Sequence, residues 1–370
     1  MDYRYSQNDE AILAVFTKEI TDHLPEWYGT DYVLSTPTPT IRSYVSCFML
    51  HYSLAGSAKT NKTILVKVRR DPKMHSLQQA IANKELHVKI PAEYQDLVSL
   101  YSFFGNRNDH LSAIRPLQYL PEYFAIFMEE FPSQTISNLL TEKGTIRGVK
   151  ENVDHLTHAA YLTGRILNIF HSQMHSLHEV EQPAQPIVNE ILSLLGRLQT
   201  ANHRNTTRAD FEARFLQKVD LIRGSQITYS NSHGDFSCDN VLYSKEDHQL
   251  CMIDVKTRHA PIYSDIALIM IHPDVFKEQI FSFGSYFKRA VMKEYRGSIL
   301  KGYFEDQPVN NNLISLYCAI KMLDKWVMYE EIMAGYKGRK RLLGFFAAPI
   351  VRLYFSTKTK HYLDQMIATR

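Results

Sequence analysis

Apolar positions recur at helical spacing near the start of the chain. Ile12, Leu13, Phe16, Ile20 and Leu24 fall on one face of a helix expected from about Asn8 to His23. The pattern then turns to strands. Tyr32-Val33-Leu34 is a short apolar run, Thr36-Pro37-Thr38-Pro39-Thr40 interrupts it, and Tyr44 to Leu54 is aromatic and β-branched enough for a second strand. Gly and Asn between Ala55 and Lys62 predict a hairpin turn, and Thr63 to Val68, T-I-L-V-K-V, a third strand. Ser76 to Phe104 is polar and helix-compatible. Its better helix begins at Pro91, since proline is tolerated in a first turn. Two more strands are expected, around Ile114–Tyr119 and Phe124–Met128.

Beyond Glu130 the spacing is helical in Gln134–Leu140, Asp154–Leu177, Pro186–Leu198 and Ala209–Ile222. Between Tyr229 and Asp254 it changes again. A loop precedes a short strand, Val241–Tyr243, then a polar turn and a second strand, Leu250–Ile253; helices follow to the end. A boundary at Glu129–Pro132 separates a small β-rich part, residues 1–130, from a larger, mostly helical part, residues 131–370. The class is α+β. No internal repeat or low-complexity block interrupts this order.

Composition narrows the classes. In 370 residues, 45% are hydrophobic and 22% charged, which excludes a disordered chain, a collagen-like repeat and a small disulfide scaffold. The net charge is +3, from 42 basic and 39 acidic residues, so no nucleic-acid partner is expected from bulk charge. The charge is uneven: Tyr336 to Arg370 carries +7, leaving −4 on the rest. Four dispersed cysteines form no C-x-x-C pair and suit a reducing compartment. The polar N-terminus has no signal-peptide core, and the apolar run Leu342–Val351 is about half a membrane span, so a cytoplasmic protein is expected.

The most informative segment is Ser232-His233-Gly234-Asp235-Phe236-Ser237-Cys238-Asp239-Asn240-Val241-Leu242, of the form H-x-D-x-x-x-x-N leading into a strand. Asp254 comes fourteen residues after Asn240, at the end of the paired strand. An amide and a carboxylate brought together by a hairpin suit Mg²⁺, a hard cation that takes oxygen ligands and keeps phosphate oxygens. Asp235 would then orient a hydroxyl toward a phosphate, the arrangement of phosphoryl transfer. Alone, Asp235 and Asn240 read as turn residues and His233 as a hydrogen-bonded loop histidine. Lys67, within Ile64-Leu65-Val66-Lys67-Val68, reads either as an exposed edge lysine or as a cation for nucleotide phosphates. The second reading needs an acid to fix it. Glu93 on the next helix is the first candidate and Glu85 the second.

The motif order V-K-V, a helix with E-Y, M-E-E-F, H-G-D-F-S-C-D-N-V-L, M-I-D and P-I-Y-S-D-I-A resembles the aminoglycoside phosphotransferase and choline kinase family over about Tyr32 to Pro273. The resemblance implies a two-lobed protein-kinase-like fold and the cofactors ATP and Mg²⁺. It implies that Asp235 is the catalytic base, that Asn240 and Asp254 bind the metal, and that Lys67 holds phosphates with Glu93 as partner. It further implies that Asp265 braces the catalytic loop beside His233, and that Met128, Glu129 and Glu130 lead a segment meeting adenine through its backbone. Two departures stand out. Thr36–Tyr44 has no glycine, so phosphate contact there would lean on Thr40, Arg42 or Ser43; and Lys256 follows Asp254 closely, as a phosphate partner or a solvated lysine.

The expected activity is phosphorylation of a hydroxyl on a sugar, polyol or amino alcohol, with nucleotide and acceptor as the binding partners. A catalytically silent nucleotide-binding scaffold is the alternative. A protein kinase fits less well, because D-F-G, A-P-E and an activation segment are absent from the sequence. Leu313, Leu316, Ile320, Leu323 and Val327 form a core stripe, with Asp324, Trp326, Tyr329 and Glu330 off it as acceptor-pocket candidates against a simpler buried-tryptophan reading. Lys337-Gly338-Arg339-Lys340-Arg341 before the apolar run would lie on an anionic membrane surface, grip an anionic substrate, or only dock as a final helix, and Pro349 argues against one continuous amphipathic helix.

Overall fold

A computed structural model describes residues 7–56, 62–88, 90–105, 107, 109–174, 177–181, 184–202 and 205–367. The chain divides into two compact units, Met1–Ser133 with Ile253–Val255, and Gln134–Met252 with Lys256–Arg370.

The first unit opens with α1 (Gln7–Tyr28), which runs past the predicted end at His23. All five apolar positions predicted to share a face are buried. That face packs on an antiparallel sheet of β1 (Tyr32–Leu34), β2 (Thr40–Ser43), β3 (Cys47–Gly56), β4 (Lys62–Arg69), then, after α2 (Leu77–Ala82), α3 (Ile90–Phe104) and the short β5 (Leu111–Ser112), β6 (Pro116–Leu120) and β7 (Ala125–Glu129). The strand order is β1-β3-β4-β7-β6, with β2 beside β3. The predicted second strand, Tyr44 to Leu54, begins at Cys47 as β3, and an unpredicted strand, β2, precedes it: Tyr44 N–H donates to the Cys47 carbonyl at 2.8 Å and turns the chain between β2 and β3. The turn expected between Ala55 and Lys62 falls largely on residues 57–61, outside the described residues.

Period-2 alternation places the key lysine. Ile64, Val66 and Val68 of β4 point into the core with Phe16, Phe48 and Phe127, and Lys67 between them points to the other face. Because β4 has β3 on one side and β7 on the other, Lys67 stands opposite both Met49 and Ile126 on a central strand. The edge-lysine reading is thereby excluded.

The second unit comprises β8 (Gln134–Thr135), α4 (Ile136–Thr141), α5 (Lys143–Arg147), α6 (Lys150–Ile169), β9 (His178–Glu181), α7 (Ala184–Asn202), α8 (Asn205–Asp220), β10 (Gln226–Ser232), β11 (Val241–Tyr243), β12 (Leu250–Met252), β13 (Arg258–Pro261), α9 (Tyr263–Ile271), α10 (Lys277–Phe281), α11 (Arg289–Phe304), α12 (Asn311–Ala334) and α13 (Arg339–Asp364). Three features differ from expectation. The segment before the H-G-D loop is a strand, β10, held between β9 and β13. The helix predicted to reach Leu177 ends at Ile169, in a wider turn at Phe170–Met174. And α13 is one helix through Pro349, whose missing N–H leaves the Phe345 carbonyl without its usual donor at a strongly exposed turn.

Helices α6 and α11 cross at glycines. A Cβ on Gly164 would lie 2.1 Å from the Ile299 carbonyl oxygen, and one on Gly302 would lie 2.0 Å from that of Tyr161. The predicted α12 stripe is buried throughout. Trp326 and Glu330 are buried as well: the indole N–H donates to Glu330 at 3.2 Å, and Arg352 of α13 donates twice to the same carboxylate at 2.8 Å. Tyr329 donates its hydroxyl to the Val275 carbonyl at 3.2 Å, and Asp324 lies 4.0 Å from Arg197. Trp326 and Glu330 thus fasten α13, which corrects their candidacy for an acceptor pocket.

Candidate active site

In the first unit, Lys67 Nζ lies 2.8 Å from Glu93 Oε1 and donates to Asp254 Oδ1. Glu93 also accepts from Arg69 Nε at 2.8 Å, so one carboxylate bridges two cations of the same strand. Glu93 sits in the first turn of α3, where the helix dipole favours an acid. The structure chooses it over Glu85. Lys67 is 7% exposed. Burial alone would lower its pKa, but the facing carboxylates of Asp254 and Glu93 outweigh that and raise it, so the ammonium is kept charged. Asp254 is left-handed, with φ of 55°, a conformation aspartate tolerates better than most residues.

Arg42 and Ser43 end β2 opposite Met49 and Phe48. The turn after them is pinned by Arg70, whose backbone N–H donates to the Ser46 carbonyl at 2.9 Å and whose Nε donates to the Tyr44 carbonyl at 2.8 Å. Met128 and Glu129 close β7. The Glu129 N–H is given to the Arg115 carbonyl and the Glu130 N–H to the Thr63 carbonyl, both at 2.9 Å.

In the second unit the loop between β10 and β11 is tied down along its length. Asp265, in the first turn of α9 and 1% exposed, accepts the His233 N–H at 2.6 Å and the Gly234 N–H at 3.2 Å. Its Oδ2 also lies 3.2 Å from His171 Nε2, and His171 Nδ1 lies 2.8 Å from the Tyr303 hydroxyl. The Lys256 N–H donates to the His233 carbonyl at 2.8 Å. Asn240 Nδ2 donates to the Asp235 carbonyl at 2.8 Å. Gly234 is obligatory: its φ is 83°, and a Cβ there would lie 2.5 Å from the Lys256 carbonyl oxygen. Phe236, fully buried, packs its ring 5.2 Å from that of His233.

Within this frame the Asp235 carboxylate is partly exposed and pairs with Lys256 Nζ at 2.6 Å. The ordering of Asn240 leaves its side-chain oxygen as the atom able to meet a cation. Val241 lies opposite Met252, so Asn240 immediately precedes the first paired position of β11. Among the described residues no group of three or more His, Cys, Asp or Glu could hold a metal ion. By ligand type, an amide oxygen such as that of Asn240 and a carboxylate such as that of Asp254 fit Mg²⁺, a hard cation that keeps waters and phosphate oxygens; neither is the thiolate or imidazole donor of a structural zinc site.

The sequence reading missed His171, Tyr303 and Arg69. Each stands far in sequence from the residue it serves, and only the Arg69 position, two after Lys67 on one face of β4, was open to inspection.

No family profile matches the chain, and no curated protein matches it either. Solved structures do. A macrolide 2′-phosphotransferase type I is 12% identical, with 96% of this chain and 98% of that one covered and a TM-score of 0.51. A glucosamine kinase is 13% identical, with 95% of this chain and 81% of that one covered and a TM-score of 0.51. The chain therefore carries the fold of these phosphotransferases, α+β and protein-kinase-like, with a small sheet-bearing unit and a larger, mostly helical one.

Proposed function

We propose that the protein is an ATP- and Mg²⁺-dependent phosphotransferase that phosphorylates a hydroxyl of a small molecule, such as a sugar, polyol or amino alcohol. The observation that carries this reading is the fixed catalytic loop, with Asp235 presented on a backbone tied to Asp265, Asn240 and Lys256. A carboxylate held this way is placed to take a proton from a positioned hydroxyl.

In the reaction, the acceptor oxygen forms a bond to the γ-phosphorus as the bond from that phosphorus to the ADP oxygen breaks, and the hydroxyl proton passes to Asp235. Lys67, kept charged by its two carboxylates, holds phosphate oxygens of the nucleotide, and Glu93 fixes its direction. Arg42 and Ser43 are the side chains of the glycine-free β2 end that meet phosphate. Since the N–H groups of Glu129 and Glu130 are already donated, adenine contact at the end of β7 uses the carbonyls of Met128–Glu130 or the backbone of Phe131. Asn240 and Asp254 would hold Mg²⁺, which supplies positive charge to the phosphate oxygens. Lys256 must give up Asp235 for the acceptor to reach it, and a phosphate oxygen is the natural new partner for the ammonium.

The test is transfer of phosphate from ATP to a panel of sugars, polyols and amino alcohols, with Asp235→Asn beside the intact chain. A loss of about 10²–10⁴-fold in kcat is expected; turnover untouched by the substitution refutes the role of Asp235. The glycine-free turn with exposed Tyr44 and Val45 favours a second reading, a silent nucleotide-binding scaffold. Thermal stabilisation by Mg-ATP with no transfer or hydrolysis would select it.

A further inference from the structure

The first half of α13 has an outer face that the proposed reaction does not use. From Leu342 to Val351, ten residues carry no polar side chain. A helix apolar all round is normally covered all round, yet among its described side chains from Phe345 onward one side meets the protein and the other is exposed. Val351, Tyr354 and Phe355 are buried at 2%, 3% and 0% exposure. On the opposite side Phe345 is 74%, Phe346 66% and Leu353 57% exposed. With Pro349, also exposed, these fall within an arc of about 100° at 3.6 residues per turn.

Charge indicates what covers this face. Lys337, Arg339, Lys340 and Arg341 immediately precede it, and no acidic residue occurs between Tyr336 and Leu363. The first turn of α13 has no acid, and no side chain caps it. Basic residues in that turn stand at the positive end of the helix dipole, an arrangement that is unfavourable without an external anion.

We propose that this face docks on an anionic lipid bilayer, with the aromatic side chains entering the headgroup boundary and the basic segment meeting lipid phosphates and carboxylates. Among the described residues no helix is long and apolar enough to cross a membrane, so α13 lies along the surface. A fluid anionic surface neutralises four clustered cations without fixed complementary positions. A second copy of the chain fits less well, because a two-fold contact through this face brings two basic clusters together. The inference is independent of the proposed reaction and holds or fails without it.

The test is co-sedimentation of the full chain with vesicles of phosphatidylcholine alone and of phosphatidylcholine with one quarter phosphatidylserine. Binding is expected only to the second, weakening about tenfold or more between 0.1 and 0.5 M salt. Phe345→Ser with Phe346→Ser should reduce it by about tenfold. The quadruple change of Lys337, Arg339, Lys340 and Arg341 to Gln should erase the preference for phosphatidylserine. Since both Phe side chains are exposed, the double variant keeps the thermal melt of the parent, which is recorded alongside. No binding to phosphatidylserine vesicles, or binding indifferent to the Phe substitutions, overturns the proposal. So does a dimer in sedimentation velocity that the Phe substitutions dissolve, since it assigns the face to a second copy.

Discussion

Replacing Asp265 removes the acceptor on which the H-G-D loop is hung. In a site 1% exposed to solvent the carboxylate accepts the His233 N–H at 2.6 Å, the Gly234 N–H at 3.2 Å, the His171 ring at 3.2 Å and the Ser232 hydroxyl. Asp265→Ala leaves them without that partner. At about 1–3 kcal/mol for each buried donor deprived of its acceptor, less than fully additive, the expected cost is about 3–6 kcal/mol. Against a total stability of about 5–15 kcal/mol this approaches unfolding. Asp265→Asn keeps the shape and one oxygen but turns an N–H₂ toward a remaining donor, for a cost of about 2–4 kcal/mol. Urea unfolding reads both as shifts of the midpoint at unchanged slope. Burial pushes the Asp265 pKa up, but the hydrogen bond and charge of His171 with neighbouring donors outweigh it and leave it below the ordinary 3.8. Its ionised form therefore contributes stability that is present above pH of about 4 and is lost as pH falls through the folded value. A midpoint shift equivalent to less than about 1 kcal/mol in Asp265→Ala would show that the loop is held by something else.

Other expectations follow from the same geometry. Glu93→Gln takes one of two carboxylates from Lys67 and the hydrogen-bonded one from Arg69; the Kd for Mg-ATP by calorimetry should rise about tenfold, equal to ~1.4 kcal/mol, and an unchanged Kd contradicts the role of the pair. Gly302→Ala forces a methyl toward the Tyr161 carbonyl, where only 2.0 Å is open; the helices must part, costing about 3 kcal/mol or more in urea unfolding, and a neutral result would mean the crossing is looser than described. Burial lowers the His272 pKa from 6.5 to about 4 although Asp239 opposes this. Below pH 6.5 the unfolded chain takes up a proton that the folded chain refuses, so stability should fall by about 2–3 kcal/mol between pH 7 and 4. His272→Gln should flatten that slope, and an equal slope in the variant removes His272 as its cause.

Much of the frame was legible because it rests on periodicity. The α1 face, the buried alternation of β4 and the α12 stripe each repeat a short interval, and the sequence displays that interval directly. The H-G-D loop was legible for another reason: its Gly234, Asp235 and Asn240 are chemically unusual together. What escaped depends on distant pairing. Gln226–Ser232 has too few apolar side chains to announce a strand, and it becomes one because β9, some 45 residues earlier in the chain, and β13, about 30 later, flank it. His171 looks like one of sixteen histidines until Asp265 and Tyr303 meet its two nitrogens. Pro349 misled because its local cost is real; α13 bears it by anchoring Arg352, Tyr354 and Tyr362 elsewhere.

The meeting of Gly164 and Gly302 has an evolutionary side. Each position owes its small residue to the backbone of the other helix, not to its own surroundings in the chain. A lineage cannot enlarge either one first and repair the other later, because the obstacle is a main-chain carbonyl that no second substitution removes. Among divergent descendants of this chain, the two sites should stay glycine together, or both be released where the helices have drifted apart.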